Sequence, residues 1–597
     1  MRKVLTMFRL LKNCVCLASM VGGLSAISTA VAVAEAPPTV NPADALKRLP
    51  ESGGAGRELR FDAGLLFLGE PLEIADEKLS GLKIVGAADG STILSGGRII
   101  AGFTVDNEGR WKTVIPEVKK GDWTFAELFV GGRRATRARF PNSGYLRVEK
   151  SGKDRRTHFT FAEGAIPALD DVESLELVFL HDWSISRVRV KSLDPATRTL
   201  TTETNIGPKA PHYAIDHYEP HPRYFLENHR SFVDEPGEWF LDEQTGELTY
   251  FPLPGQTPES AQVIAPRLSS LLTVTGQEGA PVTDIVIENI TFAHCAYDYT
   301  TRYAAGQAVF HEDDRIDGHG LRVPTPAAVT FNLAENCKLV NCRVLSVGGS
   351  GVWIRRSCRK MEVVDCAFAD IGGNGLMIGE DRSRLVNGRC WCDAAPKQAT
   401  TEILVKDCTI ERVGERFFGA VGLWVGMANK IHILENTVRH TPYTGISLGW
   451  MWNPAPTPCG QITVERNHIH DNMQILSDGG GIYTLGRQPG TVIRDNVIHG
   501  IAKNAGRAES NGIFFDQGTT ELLVEKNTMF DTDRSPTRWH QCGVNVMRNN
   551  TFVLKEGVPL VRYNNTPEKN VELEDNRVIP AGEWTEEMAE RAIESVQ

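Results

Sequence analysis

The chain has 597 residues, of which 41% are hydrophobic and 23% are charged, and its formal net charge is −11. This ordinary globular composition corresponds to roughly two to four domains, and the negative charge disfavours non-specific binding to nucleic acid. Glycine is frequent, with 56 residues, and apolar stripes of helical period are scarce, which indicates a β-rich protein.

The N-terminal segment has the pattern of a signal peptide. An apolar stretch over residues 14–34 follows a basic start and ends in the small-residue motif AVA at 32–34. A membrane anchor is the alternative, which the Gly22-Gly23 pair and the alanine-rich end disfavour. The basic residues are Arg2, Lys3, Arg9 and Lys12, and their removal changes the formal net charge from −11 to −15. We therefore predict a signal peptide over residues 1–34 and a periplasmic or secreted mature protein without a membrane segment.

Two different patterns follow in the N-terminal half. Residues 57–104 contain short apolar runs, such as LLFL at 65–68 and LKIV at 82–85, which are typical of β-helix coils. Over residues 105–265 this repeat is lost and the alternating strands lengthen, as in LELVFL at 175–180. We predict that 105–265 is a β-sandwich-like domain inserted into the early coils.

A repeat over residues 266–580 predicts the main architecture. One position recurs at intervals of 23 to 42 residues, and an apolar residue follows it two places later each time. The members are Cys342, Cys366, Cys408, Asn436, Asn467, Asn496, Asn527, Asn550 and Asn576. Most intervals are shorter than the roughly 40 residues of a propeller blade, so we predict an all-β, right-handed parallel β-helix. The asparagines should hydrogen-bond to one another between coils, and the cysteines should be buried free thiols rather than metal ligands.

A second repeated strand begins with glycine in successive coils. Its period-2 alternation places one set of side chains inside the β-helix and the other set outside. The outward set is Trp353, Met377, Trp424, Ser447, Tyr483 and Phe514. An exposed aromatic stripe would be a platform for sugar rings, whereas long loops covering it would leave it merely packed. At the C-terminus, residues 581–597 have a helical pattern that we expect to cap the end of the solenoid.

Several motifs resemble known β-helix glycoside hydrolases. The predicted insert carries LFVGG at 128–132, ARFPN at 138–142, YFLEN at 224–228 and PGEWFLD at 236–242. The β-helix carries HTPYTGI at 440–446, NHIHD at 467–471, SDGGGIYT at 477–484 and GIFFDQG at 512–518. Together these resemble glycoside hydrolase family 141 and, more distantly, family 120. The resemblance implies α-L-fucosidase or xylanase activity, but the segment 380–400 has no counterpart in it.

Three carboxylates are candidates for catalysis beside the second strand. Glycosidases commonly use two carboxyl groups that flank the scissile bond, one protonated and one ionised. Asp478 and Glu509 each precede a strand glycine by three residues, so they should stack one coil apart, whereas Asp516 ends the next strand. The resemblance favours Asp478 with Asp516, and the alignment of the coils favours Asp478 with Glu509. A turn aspartate before Gly479-Gly480 is the plainer interpretation of Asp478.

Other residues are predicted to bind substrate. His470 and His499 should be neighbours outside the coils, where they hydrogen-bond to loops or to a sugar, and no third ligand is spaced with them for zinc. Trp450 and Trp452 follow a strand and would wall a sugar subsite or pack under a loop. The full predicted set is Trp424, Tyr443, Trp450, Trp452, His470, Tyr483, His499 and Phe514.

The leading interpretation is a monomeric glycoside hydrolase that acts on a plant or algal polysaccharide or its oligosaccharides without a metal or cofactor. A polysaccharide lyase is an alternative, although its Lys or Arg base and its calcium carboxylates are not evident. The triplet GHG at 318–320 could indicate a polygalacturonase-like site. However, it lies in a loop without the coils that carry the aspartates usual for such a site. A non-catalytic, carbohydrate-binding β-helix is the third possibility, and it would not need clustered carboxylates.

The signal peptide leads to a direct prediction. We expect the mature protein to begin near Glu35 and to be recovered outside the cytoplasm, because the AVA motif at 32–34 fits a signal peptidase site. N-terminal sequencing of the exported protein measures this. A membrane-bound product that retains Met1 would contradict it.

Overall fold

The fold is described by a computed structural model, which covers residues 39–47, 57–208, 210–217, 219–297, 302–304, 307–312, 322–501 and 506–597. The predicted signal peptide with its cleavage site, and the GHG triplet at 318–320, lie outside the described residues. Within the described ranges, no helix is both long enough and apolar enough to span a bilayer.

Three long parallel sheets form a right-handed β-helix, as the repeat predicted. The strands of sheet A include Gly64–Leu68, Thr92–Ser95, Ile290–Ala293, Arg343–Val347, Ala367–Ile371, Thr409–Val413, Thr437–Arg439, His468–His470, Val497–His499, Thr528–Met529, Thr551–Leu554 and Arg577–Pro580. Those of sheet B include Glu58–Arg60, Lys83–Val85, Val286–Glu288, Lys338–Val340, Arg359–Val364, Thr401–Lys406, Asn429–Leu434, Thr463–Glu465, Arg487–Arg494, Thr520–Glu525, Asn545–Arg548 and Val571–Glu574. Those of sheet C include Leu72–Ile74, Leu272–Thr275, Ala327–Asn332, Ser350–Ile354, Leu376–Ile378, Leu423–Val425, Ile446–Leu448, Gly479–Thr484, Ser510–Phe515, Thr537–His540 and Val561–Asn564.

The early coils and the main helix are continuous, although the insert separates them in the chain. Thr92–Ser95 pairs in parallel with Ile290–Ala293, and Lys83–Val85 pairs with Val286–Glu288. The side chains that point inward from all three sheets form one large apolar core. A long excursion of the chain thus leaves the β-helix and returns to the next coil in register.

The intervening segment folds into antiparallel sheets with two apolar cores of their own. Its strands include Trp111–Val114, Phe129–Val130, Leu146–Ser151, His158–Phe161, Glu176–Leu180, Ile185–Asp194, Thr199–Thr202, Arg223–Glu227, Glu238–Leu241 and Glu247–Tyr250. Gly97–Ile100 pairs antiparallel with Val263–Pro266, so the two ends of the segment meet. This pairing ties the insert to the coils at its base.

The asparagine ladder is confirmed. The side-chain amide of Asn467 donates to Oδ1 of Asn496 at 2.9 Å, and that of Asn496 donates to Oδ1 of Asn527 at 2.9 Å. Each Oδ1 also accepts the backbone N–H of the previous ladder residue, as Asn496 does from Asn467 at 3.0 Å. The ladder runs on through Asn550 to Asn576. It satisfies buried polar groups at the same corner of successive coils.

The cysteines at the start of the ladder are confirmed as buried free thiols. Cys342, Cys366 and Cys408 are at most 3% exposed, and none of them is bridged. Burial raises the pKa of the Cys342 thiol well above its ordinary value. The backbone N–H of Cys408 donates to Oδ1 of Asn436 at 2.9 Å, where the thiols give way to the amides. These thiols behave as small apolar residues.

The C-terminal helix, Glu586–Glu594, covers a flank of the solenoid rather than its open end. Thr585 caps its N-terminus, and its apolar side packs on outward side chains of sheet A such as Val553 and Ile579. In the last coil, Leu573 and Val578 occupy the inward positions opposite the buried Met547 and Phe552, but they are 44% and 48% exposed. The expected end cap is therefore displaced, because the apolar side of the helix matches the outer side chains of the last coils. Elsewhere in the described ranges the short α-helices are Pro42–Lys47, Pro116–Lys119 and Trp391–Ala394.

Asn496→Ala should lower the free energy of unfolding by about 2–4 kcal/mol, because each buried donor left without an acceptor costs about 1–3 kcal/mol. Oδ1 of Asn496 accepts from both the backbone and the side chain of Asn467. The shift in the urea midpoint measures the loss. The control is Asn107→Ala in an exposed turn, which should change stability by less than about 0.5 kcal/mol. Equal stability of the two variants would contradict the role of the ladder.

Candidate active site

The three candidate carboxylates flank two neighbouring strands of sheet C. Asp478 precedes Gly479–Thr484, while Glu509 precedes and Asp516 follows Ser510–Phe515. The two strands pair in parallel with Ile482 opposite Ile513, and the backbone N–H of Asp478 donates to the carbonyl of Glu509 at 3.2 Å. Asp478 and Glu509 are therefore neighbours in successive coils, as their spacing predicted.

Asp478 is held by an arginine from two coils further on. Oδ1 of Asp478 lies 2.8 Å from Nη1 of Arg538, whose guanidinium also lies 4.2 Å from the centre of the Phe514 ring. Burial raises the pKa of Asp478 above its ordinary value of 3.8, and the negative charges of Asp516 and Asp182 add to this, whereas Arg538 opposes it. The environment thus favours the protonated form of Asp478 more than water does.

Asp516 has a different environment, in which two hydrogen-bonding side chains face its carboxylate. The Tyr483 hydroxyl donates to Oδ2, and Nδ1 of His540 lies 2.7 Å from Oδ1. Its side chain is 13% exposed. A hydroxyl group and an imidazole nitrogen thus each face one oxygen of the Asp516 carboxyl group.

Glu509 faces a different cation. Its Oε1 lies 3.9 Å from Nε of Arg562, and its side chain is 29% exposed. No hydrogen bond to Arg538, Tyr483 or His540 is found for its carboxylate among the described residues. The backbones of Asp478 and Glu509 are adjacent, but their side chains engage different partners.

Arg538 and His540 were not found from the sequence. They lie on Thr537–His540, which pairs with the strand of Asp516 so that Phe514 is opposite Arg538. In this coil Pro536 stands where the earlier coils have a glycine before the strand of sheet C. The glycine that marks the second repeated strand is therefore absent, and the repeat did not include this coil. The ladder positions Asn527 and Asn550 required a coil between them, and that signal would have located both residues.

The insert holds the turn that leads into Asp478. The backbone N–H of Ser477 donates to the carbonyl of Asp182 at 2.8 Å, and Nη1 of Arg223 donates to the carbonyl of Ile475 at 2.8 Å. The buried Asp182 also accepts the backbone N–H of Arg507 at 3.0 Å. A residue from the insert therefore joins the two turns that lead into the strands Gly479–Thr484 and Ser510–Phe515.

A tyrosine fixes the backbone of Asp478. The Tyr443 hydroxyl donates to the carbonyl of Asp478 at 2.9 Å and accepts from Nε2 of Gln307 at 2.9 Å. Tyr443 is fully buried, and burial raises the pKa of its hydroxyl well above the ordinary value. It is a supporting residue under Asp478 rather than an open contact surface for sugar.

The aromatic stripe does point outward, and of the two alternatives left open by the sequence the structure shows the covered one. Its members pair in register along sheet C, and each is at most 6% exposed: Trp353, Met377, Trp424, Ser447, Tyr483 and Phe514. The Phe310 ring lies 4.9 Å from that of Trp424 and 5.2 Å from that of Trp450, so Phe310 covers these two tryptophans. Trp450 is buried for the same reason.

Trp452, another residue predicted to bind substrate, is half-buried. It lies in the loop that follows Trp450. This loop runs close to the end of the Asp516 strand, since a Cβ on Gly518 would lie 2.3 Å from the backbone of Asn453. Gly518 has a φ of +80°, a conformation that glycine adopts without strain. The unmatched segment 380–400 packs through Trp391 near Met451, so it borders the same loop.

His470 and His499 are neighbours outside the coils, as predicted, with ring centres 5.0 Å apart. They lie on sheet A, whereas the carboxylates flank sheet C, so the structure does not bring them to the candidate site. The expectation that no third ligand accompanies them is wrong. His468 projects from the same strand as His470, and the ring nitrogens of the three histidines lie within 4.8 Å of one another. The i and i+2 positions of a strand share a face, so His468 and His470 project from the same side of the coil.

Comparisons with known proteins agree with this architecture. Residues 109–253 match the family model described as the GH141 insertion domain, and residues 327–514 match that of the right-handed β-helix region. A solved structure described as a glycoside hydrolase has a TM-score of 0.74 at 22% identity, covering 90% of this chain and 91% of the other. No curated protein sequence gives a significant match.

Two further solved structures are less similar. The complex of XylC with xylose has a TM-score of 0.41 at 11% identity, covering 88% of this chain and 80% of the other. The A-module of the mannuronan C-5 epimerase AlgE4 of Azotobacter vinelandii has a TM-score of 0.37 at 10% identity, covering 52% and 75%. With its β-helix and the insertion domain of glycoside hydrolase family 141, the chain is a glycosidase that resembles this family and takes a carbohydrate as its substrate.

Proposed function

We propose that the enzyme hydrolyses a glycosidic bond in a plant or algal polysaccharide or its oligosaccharides, with Asp478 and Asp516 as its catalytic carboxyl groups. The observation that carries this proposal is the contrast between the two carboxyl environments. The pKa of Asp478 is raised by burial, whereas Asp516 faces two hydrogen-bonding side chains. Glycosidases need one protonated and one ionised carboxyl group.

Asp478 is the proposed general acid, which protonates the leaving oxygen of the scissile bond. A raised pKa keeps a larger fraction of this carboxyl protonated near neutral pH. Arg538, at 2.8 Å, stabilises the carboxylate that remains after the proton has been transferred. Tyr443 and the insert hold the backbone of this residue, so the proton is delivered from a fixed position.

Asp516 is the proposed ionised partner, acting either as the nucleophile or as the base that activates water. Tyr483 and His540 orient its carboxylate. Glu509 is the rival for this role because its backbone is adjacent to that of Asp478. Asp516 is favoured because Tyr483 and His540 hold its carboxyl group, whereas Glu509 faces Arg562 at 3.9 Å.

The proposed substrates are α-L-fucosides and xylan, which follow from the resemblance to family 141. Trp452 is the proposed aromatic wall of a sugar subsite, because it is half-buried beside the end of the Asp516 strand. Screening the purified protein on aryl α-L-fucosides, aryl xylosides and plant and algal polysaccharides tests this choice. If the protein turns over neither α-L-fucosides nor xylose-containing substrates, the proposal of these sugars is wrong.

A polysaccharide lyase is the second candidate, because an arginine and two tyrosines lie beside the carboxylates. A lyase base must release its proton, but Arg538 is held by Asp478 and stacks on Phe514. An arginine does not deprotonate in a protein. A lyase would leave an unsaturated sugar that absorbs in the ultraviolet, whereas hydrolysis would leave a new reducing end and no unsaturated sugar.

We also propose that the protein acts outside the cytoplasm as a monomer, without a nucleic-acid partner.

Asp478→Asn should reduce kcat by at least about 100-fold with the fold intact, because the amide can neither ionise nor donate a proton as an acid does. Asp516→Asn should have a comparable effect, whereas Glu509→Gln should retain most of the activity. Initial rates on the best aryl glycoside, with circular dichroism as the test of folding, measure these effects. Wild-type turnover by Asp478→Asn would refute the assignment, and loss of turnover in Glu509→Gln alone would identify Glu509 as the partner.

The stereochemistry of the product gives an independent test of the carboxylate pair. A separation of about 5 Å implies a covalent intermediate and retention, whereas about 6.5–9.5 Å leaves room for water and implies inversion. We expect inversion for Asp478 with Asp516, because Asp516 lies at the far end of its strand. NMR of the anomer formed in early turnover decides between the outcomes, and retention would favour the stacked Glu509.

Asp478→Asn should also raise the Tm of the protein, and more so at about pH 7 than at about pH 4. Because the pKa of Asp478 is raised in the folded state, the folded protein binds this proton more tightly than the unfolded chain does. The contribution of Asp478 to stability therefore falls as the pH rises from the ordinary pKa of 3.8 through the raised pKa. An asparagine does not ionise, so the variant does not lose stability in this way. Differential scanning fluorimetry at both pH values measures the difference.

The control for this test is Asp106→Asn, which should show the opposite sign. Although burial opposes it, hydrogen bonds from the backbone of Arg110 and Glu108 lower the pKa of Asp106 to about 2. This stabilisation is present above the ordinary pKa and is lost as the pH falls through the lowered value. Asp106→Asn should therefore lower the Tm at neutral pH. The same sign for both variants would contradict the raised pKa of Asp478.

A further inference from the structure

We propose that His468, His470 and His499 form a binding site for a divalent first-row transition metal ion, with Zn²⁺ as the natural occupant. The site lies on the outer face of sheet A, away from the carboxylates that flank sheet C. Two of its ligands come from one coil and the third comes from the next coil. It does not depend on the proposed sugar substrate or on the assignment of the carboxylates.

The ring nitrogens of the three histidines are close enough to share one ion. One ring nitrogen from each histidine lies within 4.8 Å of the other two. Nε2 of His468 and Nε2 of His499 are 2.8 Å apart. Two imidazole ligands on a tetrahedral zinc, each at about 2.0–2.1 Å, are separated by about 3.3 Å. These two nitrogens therefore need to part by about half an ångström to admit the ion. The His470 ring, whose plane lies 5° from that of His499, must also turn so that its lone pair faces the ion.

A carboxylate orients the third ligand. Nδ1 of His470 lies 2.8 Å from Oδ2 of Asp471. When Asp471 accepts the Nδ1 proton, Nε2 of His470 carries the free lone pair that a metal requires. A carboxylate on the far nitrogen is the usual support of a metal-binding histidine, since it fixes the tautomer and raises the basicity of the ligand.

Ordinary hydrogen bonding does not account for the burial of His468. This residue is 6% exposed, and its Nδ1 has no hydrogen-bond partner among the described residues. Its Nε2 faces another ring nitrogen rather than a carbonyl or a carboxylate. One of the two facing nitrogens must keep a proton when the site is empty. Metal binding moves that proton to the other nitrogen of the same ring, so no net proton is released.

Other charged and titratable groups face the three histidines. Asp471 and the half-exposed His440 lie 4.0 Å apart. Arg439, which is opposite His470 in the preceding coil, is paired with Glu411 at 2.6 Å. Imidazole ligands favour zinc, copper and nickel over calcium or magnesium, which prefer oxygen.

The ion would act as a clamp between two coils and the C-terminal helix. The His499 ring stacks on Phe530 with centres 4.5 Å apart, and Phe530 lies 5.4 Å from Trp584 at the start of the helical segment. The same helix packs on Phe530 and Val553. A ligand that binds only the folded state stabilises it, so occupancy should raise the Tm.

Calorimetric titration tests the site with the full chain, expressed without a polyhistidine tag and stripped with a chelator. We expect one Zn²⁺ per chain and a higher Tm when zinc is present. His468→Gln and His499→Gln should each weaken zinc binding at least 10-fold and abolish the rise in Tm. The matched control is His432→Gln, which removes an exposed histidine on sheet B and should leave the affinity unchanged.

Cobalt distinguishes this site from Cys390, Cys392 and Asp393, another group of closely spaced metal-ligand atoms among the described residues. We expect visible d–d absorption on addition of Co²⁺, without the thiolate-to-cobalt charge-transfer band that cysteine ligands produce. This measurement uses the wild-type chain, so it stands even if a histidine variant does not fold. The absence of zinc binding, wild-type affinity in both histidine variants, or a thiolate band would each overturn the proposal.

Discussion

The structure depends on the stacking of parallel coils in register. Each strand hydrogen-bonds to the coils on both sides, and the asparagine ladder pins one corner of every coil from residue 436 to residue 576. A slip of one residue would turn every inward side chain outward and would also leave the buried amides unpaired. Once one coil is in register, the lateral position of every outward side chain in the next coil is set.

This stacking explains both the concentration and the separation of the candidate catalytic groups. Asp478 and Glu509 arrive side by side because they precede equivalent strands, whereas Asp516 is displaced along the strand. The next coil supplies partners for two of these carboxyl groups, with Arg538 at Asp478 and His540 at Asp516. The solenoid therefore distributes a site over several coils, and each coil contributes one or two side chains.

The insert and the long turns add what a bare solenoid cannot provide. Asp182 and Arg223 hold the turn before Asp478, and Phe310 covers Trp424 and Trp450. Burial of this kind raises the pKa of Asp478 and of Tyr443. The chemistry proposed for the site thus depends on the insert and the long turns that surround sheet C as much as on the residues of sheet C.

Sequence periodicity by itself determined the β-helix, the ladder, the buried thiols and the adjacency of Asp478 and Glu509. All of these follow from the repeat, because equivalent positions in parallel coils must meet. Only the tertiary structure decided what covers the outward stripe, that Arg538 and His540 face the carboxylates, and that His468 joins His470 and His499. These features depend on contacts between segments far apart in the chain, or on a coil that lacks its glycine. A period measured along the sequence carries no information about a loop that folds back over the face it defines.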